Sequence, residues 1–215
     1  MKNKILIAIL AVGIAPFAAF SQVDITPTYG YNFGAKISGY SGGLKMKGAE
    51  TFGIKIDMIR EDGSGLQFAY TYASSYVNIT DYSHPGFPGI ETKFADVTEN
   101  YYLLGGIKTL ETGGILEPYG TFSLGAAYYN FTNVDSYYYL AQSDALRFAL
   151  GFGLGAKIMF SEHIGLDVHI RALAPISYGG IGIGIGTGGV SGGVYAGSSF
   201  ISGDVGGGLV IRLGN

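Results

Sequence analysis

The stretch LRFALGFGLGAKIMF, Leu146 to Phe160, decides the fold. Its even positions carry Leu146, Phe148, Leu150, Phe152, Leu154, Ala156, Ile158 and Phe160, and its odd positions carry Arg147, Ala149, Gly151, Gly153, Gly155, Lys157 and Met159. A period of two puts one series on each face of a pleated strand, so one face is apolar and the other small or charged. At roughly 3.3 Å per residue the segment is long enough to cross a tilted hydrocarbon core.

The same order recurs on both sides of it. Ile164, Leu166, Val168, Ile170 and Ala172 alternate with Gly165, Asp167, His169 and Arg171; Leu66, Phe68, Tyr70, Tyr72 and Tyr76 alternate with Gln67, Ala69, Thr71, Ala73 and Ser75. Less regular versions cover Ile25 to Tyr40 (Tyr29, Tyr31, Phe33, Ile37), Thr51 to Arg60 (Phe52, Ile54, Ile56, Met58) and Val97 to Lys108 (Tyr101, Leu103, Ile107). Pro118 to Phe131 (Phe122, Leu124, Tyr128) and Ile201 to Leu213 (Val205, Leu209, Ile211, Leu213) complete a set of eight. Connections alternate as well: residues 61–64, 110–114 and 161–163 are tight, whereas 41–49, 79–93, 132–143 and 175–199 are longer. Short turns at one end and long loops at the other are the pattern of a transmembrane barrel. The expected fold is therefore all-β: a closed, antiparallel, up-and-down transmembrane β-barrel of eight strands. Ten strands are the alternative, if Gly179 to Phe200, where Ile181, Ile183 and Ile185 alternate with glycines, forms one more hairpin in the wall.

Composition agrees. Charged residues make up only 13 % of the chain, about half the usual share, yet after residue 21 no apolar run is long enough for a membrane helix. An apolar chain without helical spans spreads its lipid-facing surface over alternating positions. The N-terminus begins with the basic Met1 to Lys4, continues apolar from Ile5 to Phe20 and reaches Ala19-Phe20-Ser21, so residues 1–21 are expected to be a cleaved secretory signal and 22–215 one barrel domain. The formal charge of −3 makes nucleic acid an unsuitable partner. The absence of cysteine excludes disulfides, thiolate nucleophiles and Cys-based metal sites.

The charged side chains orient the barrel. Lys36, Lys55, Asp57, Arg147, Lys157, Asp167, His169, Arg171, Asp204 and Arg212 fall opposite the Leu, Phe and Ile series. A Lys or Arg on the lipid face at the bilayer midplane costs about 2–4 kcal/mol, so these residues are expected in the lumen as a linked charge network that plugs it. Gly151, Gly153, Gly155, Gly206 and Gly208 would make room for them in so narrow a barrel. Phe52, Tyr72, Tyr76, Tyr101, Tyr128 and Phe148 are expected in an outer aromatic girdle, with Tyr29 and Phe160 in an inner one.

These segments, the Ala19-Phe20-Ser21 signal end, the loop asymmetry and the final strand Val205 to Leu213 together resemble the small eight-stranded outer-membrane barrels of the OmpA transmembrane-domain, OmpX and OmpW type. The resemblance covers the whole chain after the signal and rests on pattern, not on motif. It implies an outer-membrane location after signal cleavage near Ser21. Many members end on an aromatic residue, whereas this chain ends Arg212-Leu213-Gly214-Asn215, and no peptidoglycan-binding domain follows the barrel. Members serve as adhesins, narrow pores, lipid or small-molecule handlers and parts of envelope assemblies.

Catalytic and cofactor signatures are lacking. Gly182-Ile183-Gly184-Ile185-Gly186 is not followed by a helix-forming stretch, as a dinucleotide fingerprint requires. The histidines His84, His163 and His169 stand at no diagnostic spacing from a serine, and scattered Asp and His give no metal pattern. The leading expectation is a non-enzymatic surface protein without cofactor, embedded in membrane lipid, whose outer loops meet an extracellular or envelope protein partner. Tyr82, His84, Phe87, Tyr137, Tyr138 and Tyr195 are the candidate contacts. A narrow porin-like channel for small solutes is the alternative, and a soluble ligand-binding barrel the third reading. Oligomeric state is left open.

Overall fold

The computed structural model describes residues 21–38, 42–81, 90–110, 114–134, 144–176, 180–186, 189–195 and 201–214; residues 1–20 of the expected signal segment, the loop residues Tyr82, His84, Phe87, Tyr137 and Tyr138, and Tyr40 at the end of the expected first strand lie outside them. Eight strands form the wall: β1 (Gln22–Asn32), β4 (Ala49–Ile59), β5 (Ser64–Asp81), β6 (Ile90–Thr109), β7 (Leu116–Thr132), β8 (Asp144–Met159), β9 (Ile164–Ile176) and β12 (Ser202–Leu213). Each pairs antiparallel with the next, and β1 pairs with β12 to close the ring. Among the described residues no helix is long and apolar enough to cross a membrane. The two ends of the barrel differ as the alternation of connections requires. At one end the chain reverses within a few residues, as at Arg60 to Ser64, where Gly63 donates to the Arg60 carbonyl at 2.9 Å and adopts φ +76°. Asp62 there accepts from the Ser64 hydroxyl and amide at 2.6 and 2.9 Å, which holds its carboxyl below the ordinary range.

The alternating series sort as expected on most strands. Leu66, Phe68, Phe122, Leu124, Phe148, Phe152, Leu154, Val168, Ile170, Leu209 and Ile211 are exposed on the outside, while Ala69, Thr71, Lys55, Asp57, Lys157, Asp167 and Asp204 are buried inside. A soluble ligand-binding barrel needs the reverse arrangement, so that reading is removed.

Three details differ from expectation. In β6 the assigned face is inverted: Tyr101, Leu103 and Ile107 are buried in the interior, and Tyr102 and Leu104 meet the outside. Both series of this strand are apolar, so alternation alone cannot choose between them; the deciding residue is Glu99, which shares the Tyr101 face and is 1 % exposed. The inner girdle is also wrong at Tyr29, which pairs directly with Phe52 and stacks on it at 5.2 Å, at the same height.

The third difference concerns Lys36. The first strand breaks at Phe33-Gly34, with Gly34 at φ +72°, and continues as β2 (Ala35–Ser38), which pairs with β3 (Gly42–Met46). The pairs Asn32↔Ala49 and Ala35↔Met46 preserve the register across the break, but inward Asn32 is followed by inward-packing Ala35, so the face switches. Lys36 is therefore exposed on the outer face and lies outside the lumen. A Cβ at Gly34 would stand 2.3 Å from the Met46 carbonyl, so the break requires glycine. The expected count of eight wall strands holds: the hairpin weighed as an alternative exists as β10 (Gly180–Gly186) and β11 (Gly189–Tyr195), but it forms its own two-stranded sheet outside the wall. Tyr195 ends β11, opposite Gly180.

The natural chain has no cysteine, which permits a direct test of the β6 face. A spin label at Leu104→Cys is expected to show strong relaxation by lipid-dissolved oxygen, and one at Leu103→Cys little. The opposite order would restore the face read from the sequence.

Candidate functional site: the interior ion network

Seven of the eight wall strands contribute side chains to one ion network in the interior near the short-turn end. Lys157 of β8 lies 2.7 Å from Asp24 of β1 and 2.7 Å from Asp57 of β4, and all three are fully buried. The Asp57 contact is an ion contact whose angle falls outside hydrogen-bond geometry. Gln67 of β5 donates to the other Asp57 oxygen at 2.7 Å. Arg212 of β12 joins Asp24 at 2.9 Å to Glu117 of β7 at 2.6 Å, closing the network toward the short-turn end.

One layer further, Lys55 Nζ lies 2.6 Å from Asp167 Oδ1, and the Tyr119 hydroxyl donates to Asp167 Oδ2 at 2.6 Å. Lys55 also sits 5.2 Å from the Tyr119 ring centre and Lys157 5.6 Å, so one aromatic face serves two ammonium groups. His169 Nδ1 is 2.6 Å from Asp167. Arg171 meets Asp204 at 2.9 Å and donates to Thr71 at 3.1 Å, while Thr51 donates to Asp204 at 3.1 Å. Interior glycines supply the space: a Cβ at Gly155 would stand 2.5 Å from the Tyr119 ring, and one at Gly206 3.1 Å from His169 Nε2.

Toward the outer end the interior becomes apolar. Tyr101 and Tyr129 join hydroxyls at 2.6 Å with rings edge-on at 6.1 Å, and Leu103, Ala127, Ala149, Leu173, Val97, Val77, Ile79 and Met46 pack with them. Glu99 lies beside this pair, buried, and its Oε2 has no hydrogen-bond partner.

Of the ten charged residues singled out in the sequence, Lys55, Asp57, Lys157, Asp167, His169, Arg171, Asp204 and Arg212 meet in this network. Arg147 is half-exposed near the outer end, and Lys36 is outside. Sequence reading missed Asp24, Glu117 and Tyr119, which carry as many contacts as the rest. Asp24 falls one residue before the first strand as drawn from the sequence, although it shares the inward phase of Thr26. Glu117 and Tyr119 occupy the phase opposite Phe122 and Leu124, so the alternation contained them. Among the described residues no group of three His, Asp or Glu is placed to hold a metal ion.

No protein-family model matches the chain, and no curated protein matches it by sequence. Solved structures do match in shape. The outer membrane protein OprG from Pseudomonas aeruginosa superposes with a TM-score of 0.62 at 13 % identity, over 92 % of this chain and 98 % of that one. Neisserial surface protein A gives 0.53 at 16 % identity, over 90 % and 97 %. Ail, the attachment invasion locus protein of Yersinia pestis, solved with the heparin analogue sucrose octasulfate, gives 0.50 at 12 % identity, over 89 % and 99 %. The fold is that of the small outer-membrane barrels, and with its apolar outer belt it belongs in an outer membrane.

Removing one member of the network leaves buried charge uncompensated. Lys157→Met strands Asp24 beside Asp57 and is expected to cost about 3–5 kcal/mol, against less than about 0.5 kcal/mol for exposed Lys36→Met. Urea titration in lipid vesicles, read as the folded band on unboiled gels, measures both.

Proposed function

We propose that this chain is a non-enzymatic outer-membrane scaffold: a barrel plugged by its own side chains that holds outer loops for binding or adhesion to an extracellular or envelope partner. The observation that carries this reading is the stacking of two different fillings in one narrow interior, with the ion network beneath and the Tyr101–Tyr129 pair with its apolar neighbours above. A water path would have to displace both. Eight strands enclose an interior that side chains can fill. Binding residues concentrate on loops held by a rigid support, and here the long connections and both additional hairpins gather at the end opposite the short turns. Surface attachment by a barrel of this shape has a parallel in Ail, the attachment invasion locus protein of Yersinia pestis.

The competing reading is a narrow channel, favoured by Glu99, a buried carboxyl beside Tyr129 whose Oε2 has no hydrogen-bond partner among the described residues. Single-channel recording of the purified protein separates the two: no steps above background are expected, and steady unitary conductance would replace the plugged scaffold with a pore. In parallel, the loop variant Tyr82→Ala/His84→Ala/Phe87→Ala is expected to remain folded and to lose whatever binding to host cells or matrix the natural protein displays. Retention of that binding would remove this loop as the contact surface.

A further inference from the structure

Beyond the apolar belt, β5 and β6 run on past the ends of their neighbours and carry β3 and β2 at their side. One face of this outer sheet continues the interior packing through Leu44, Met46, Val77, Ile79 and Phe94. The opposite face carries a single cross-strand row, because Lys36 pairs with Lys45, Lys45 with Asn78 and Asn78 with Lys93. Three gaps of about 4.8 Å make this row roughly 15 Å long. Two irregularities place it there: the break at Gly34 turns Lys36 outward, and the shift at Val77/Asn78, where Lys93 pairs with Asn78 and Ala95 with Val77, turns Lys93 outward.

Lys47 adds a fourth ammonium, 3.5 Å from Glu91, and Lys45 is 3.4 Å from the same carboxylate. Hydrogen bonds from Asn78 and from Lys45 hold the Glu91 carboxyl below its ordinary range, so it stays ionised and is shared. Lys93 contacts Asp96 at 2.6 Å and lies 5.8 Å from the Tyr76 ring. Lys36 is exposed and has no ion pair among the described residues. Lysines placed directly opposite one another in a ladder repel, and nothing in the packing of the barrel requires them. The strip stands directly above Tyr76, Tyr31 and Phe33, which are exposed at the top of the apolar belt.

We propose that this lysine strip binds the phosphorylated head group of an outer-leaflet glycolipid. The height fits, because the row begins where the aromatic belt ends and faces the surrounding lipid, not the barrel axis. The charge fits, because four ammonium groups meet two carboxylates and leave an unneutralised edge at Lys36. The length suits a head group bearing two phosphates. The assignment depends on the orientation of the barrel and is independent of whether the lumen conducts.

The test uses the full mature barrel in phosphatidylcholine nanodiscs doped with bisphosphorylated lipid A, with the same lipid stripped of its phosphates, or with neither, and reads retained glycolipid by native mass spectrometry. Lys36→Gln/Lys45→Gln/Lys93→Gln should remain heat-modifiable and retain lipid A about a hundredfold more weakly, each lysine contributing roughly fivefold. Glu91→Gln, which removes the shared carboxylate, should retain it about fivefold more tightly. The exposed Lys108→Gln, at the short-turn end, should leave retention unchanged. Equal retention by the triple variant, or of the dephosphorylated lipid, would overturn the proposal. Equally tight binding of free inorganic pyrophosphate would also overturn it, by making the strip a site for soluble anions.

Discussion

Closure of the ladder between β1 and β12 is the constraint on which the rest depends. In hydrocarbon an unpaired backbone amide costs several kcal/mol, so a strand can cross only if both of its edges are satisfied, and an eight-strand wall satisfies the last edge by returning to the first. The seam runs from Val23↔Leu213 to Asn32↔Asp204 and skips Thr26 and Pro27, where the proline ring nitrogen has no hydrogen to donate. Closure brings both ends of the domain together at the short-turn side, where Ser21 still reaches the Ile59 carbonyl at 3.1 Å. It also encloses an interior so narrow that whatever points inward must find its partners there. Asp24 and Arg212, at opposite ends of the chain, meet across this seam because closure places them side by side.

Ions alone do not fill that interior. Its short-turn half holds the ion network, and its outer half is mostly apolar around the tyrosine pair, with Asn32, Ser202 and Glu99 buried among the apolar side chains. A buried ion network contributes little net stability, because desolvation offsets most of its attraction; it does penalise misplacement, since each lost partner leaves a charge stranded. The apolar half supplies burial without that penalty. Beyond it, the outer sheet keeps its inner face apolar while its outer face exchanges lipid contact for lysines, and the two strand irregularities reconcile these demands, the break at Gly34 keeping the register and the bulge at Val77/Asn78 shifting it by one residue.

Strand positions, their number and most of their faces were legible in the sequence, because a membrane barrel imposes one period on almost every residue. The β8 segment, with Leu and Phe against Gly and Lys, leaves no choice of face. In β6, Tyr101 and Leu103 compete with Tyr102 and Leu104, and a single carboxylate breaks the tie. Lys36 was misplaced because counting by twos assumes an uninterrupted strand, and one left-handed glycine resets the count. Pairing across strands is the part that periodicity does not encode: neither the Lys36–Lys45–Asn78–Lys93 row nor the meeting of Asp24, Asp57 and Lys157 follows until the register is known.

The most direct test of the closed barrel is a disulfide across its seam. Ile25 and Ile211 are register partners whose side chains both face outward. In the otherwise cysteine-free chain, Ile25→Cys/Ile211→Cys in isolated outer membranes should cross-link within one molecule under a membrane-permeant oxidant, and Ile25→Cys/Val210→Cys, with one thiol facing inward, should not. Failure of the first pair, or cross-links formed only between molecules, would contradict a ring closed by β1 and β12.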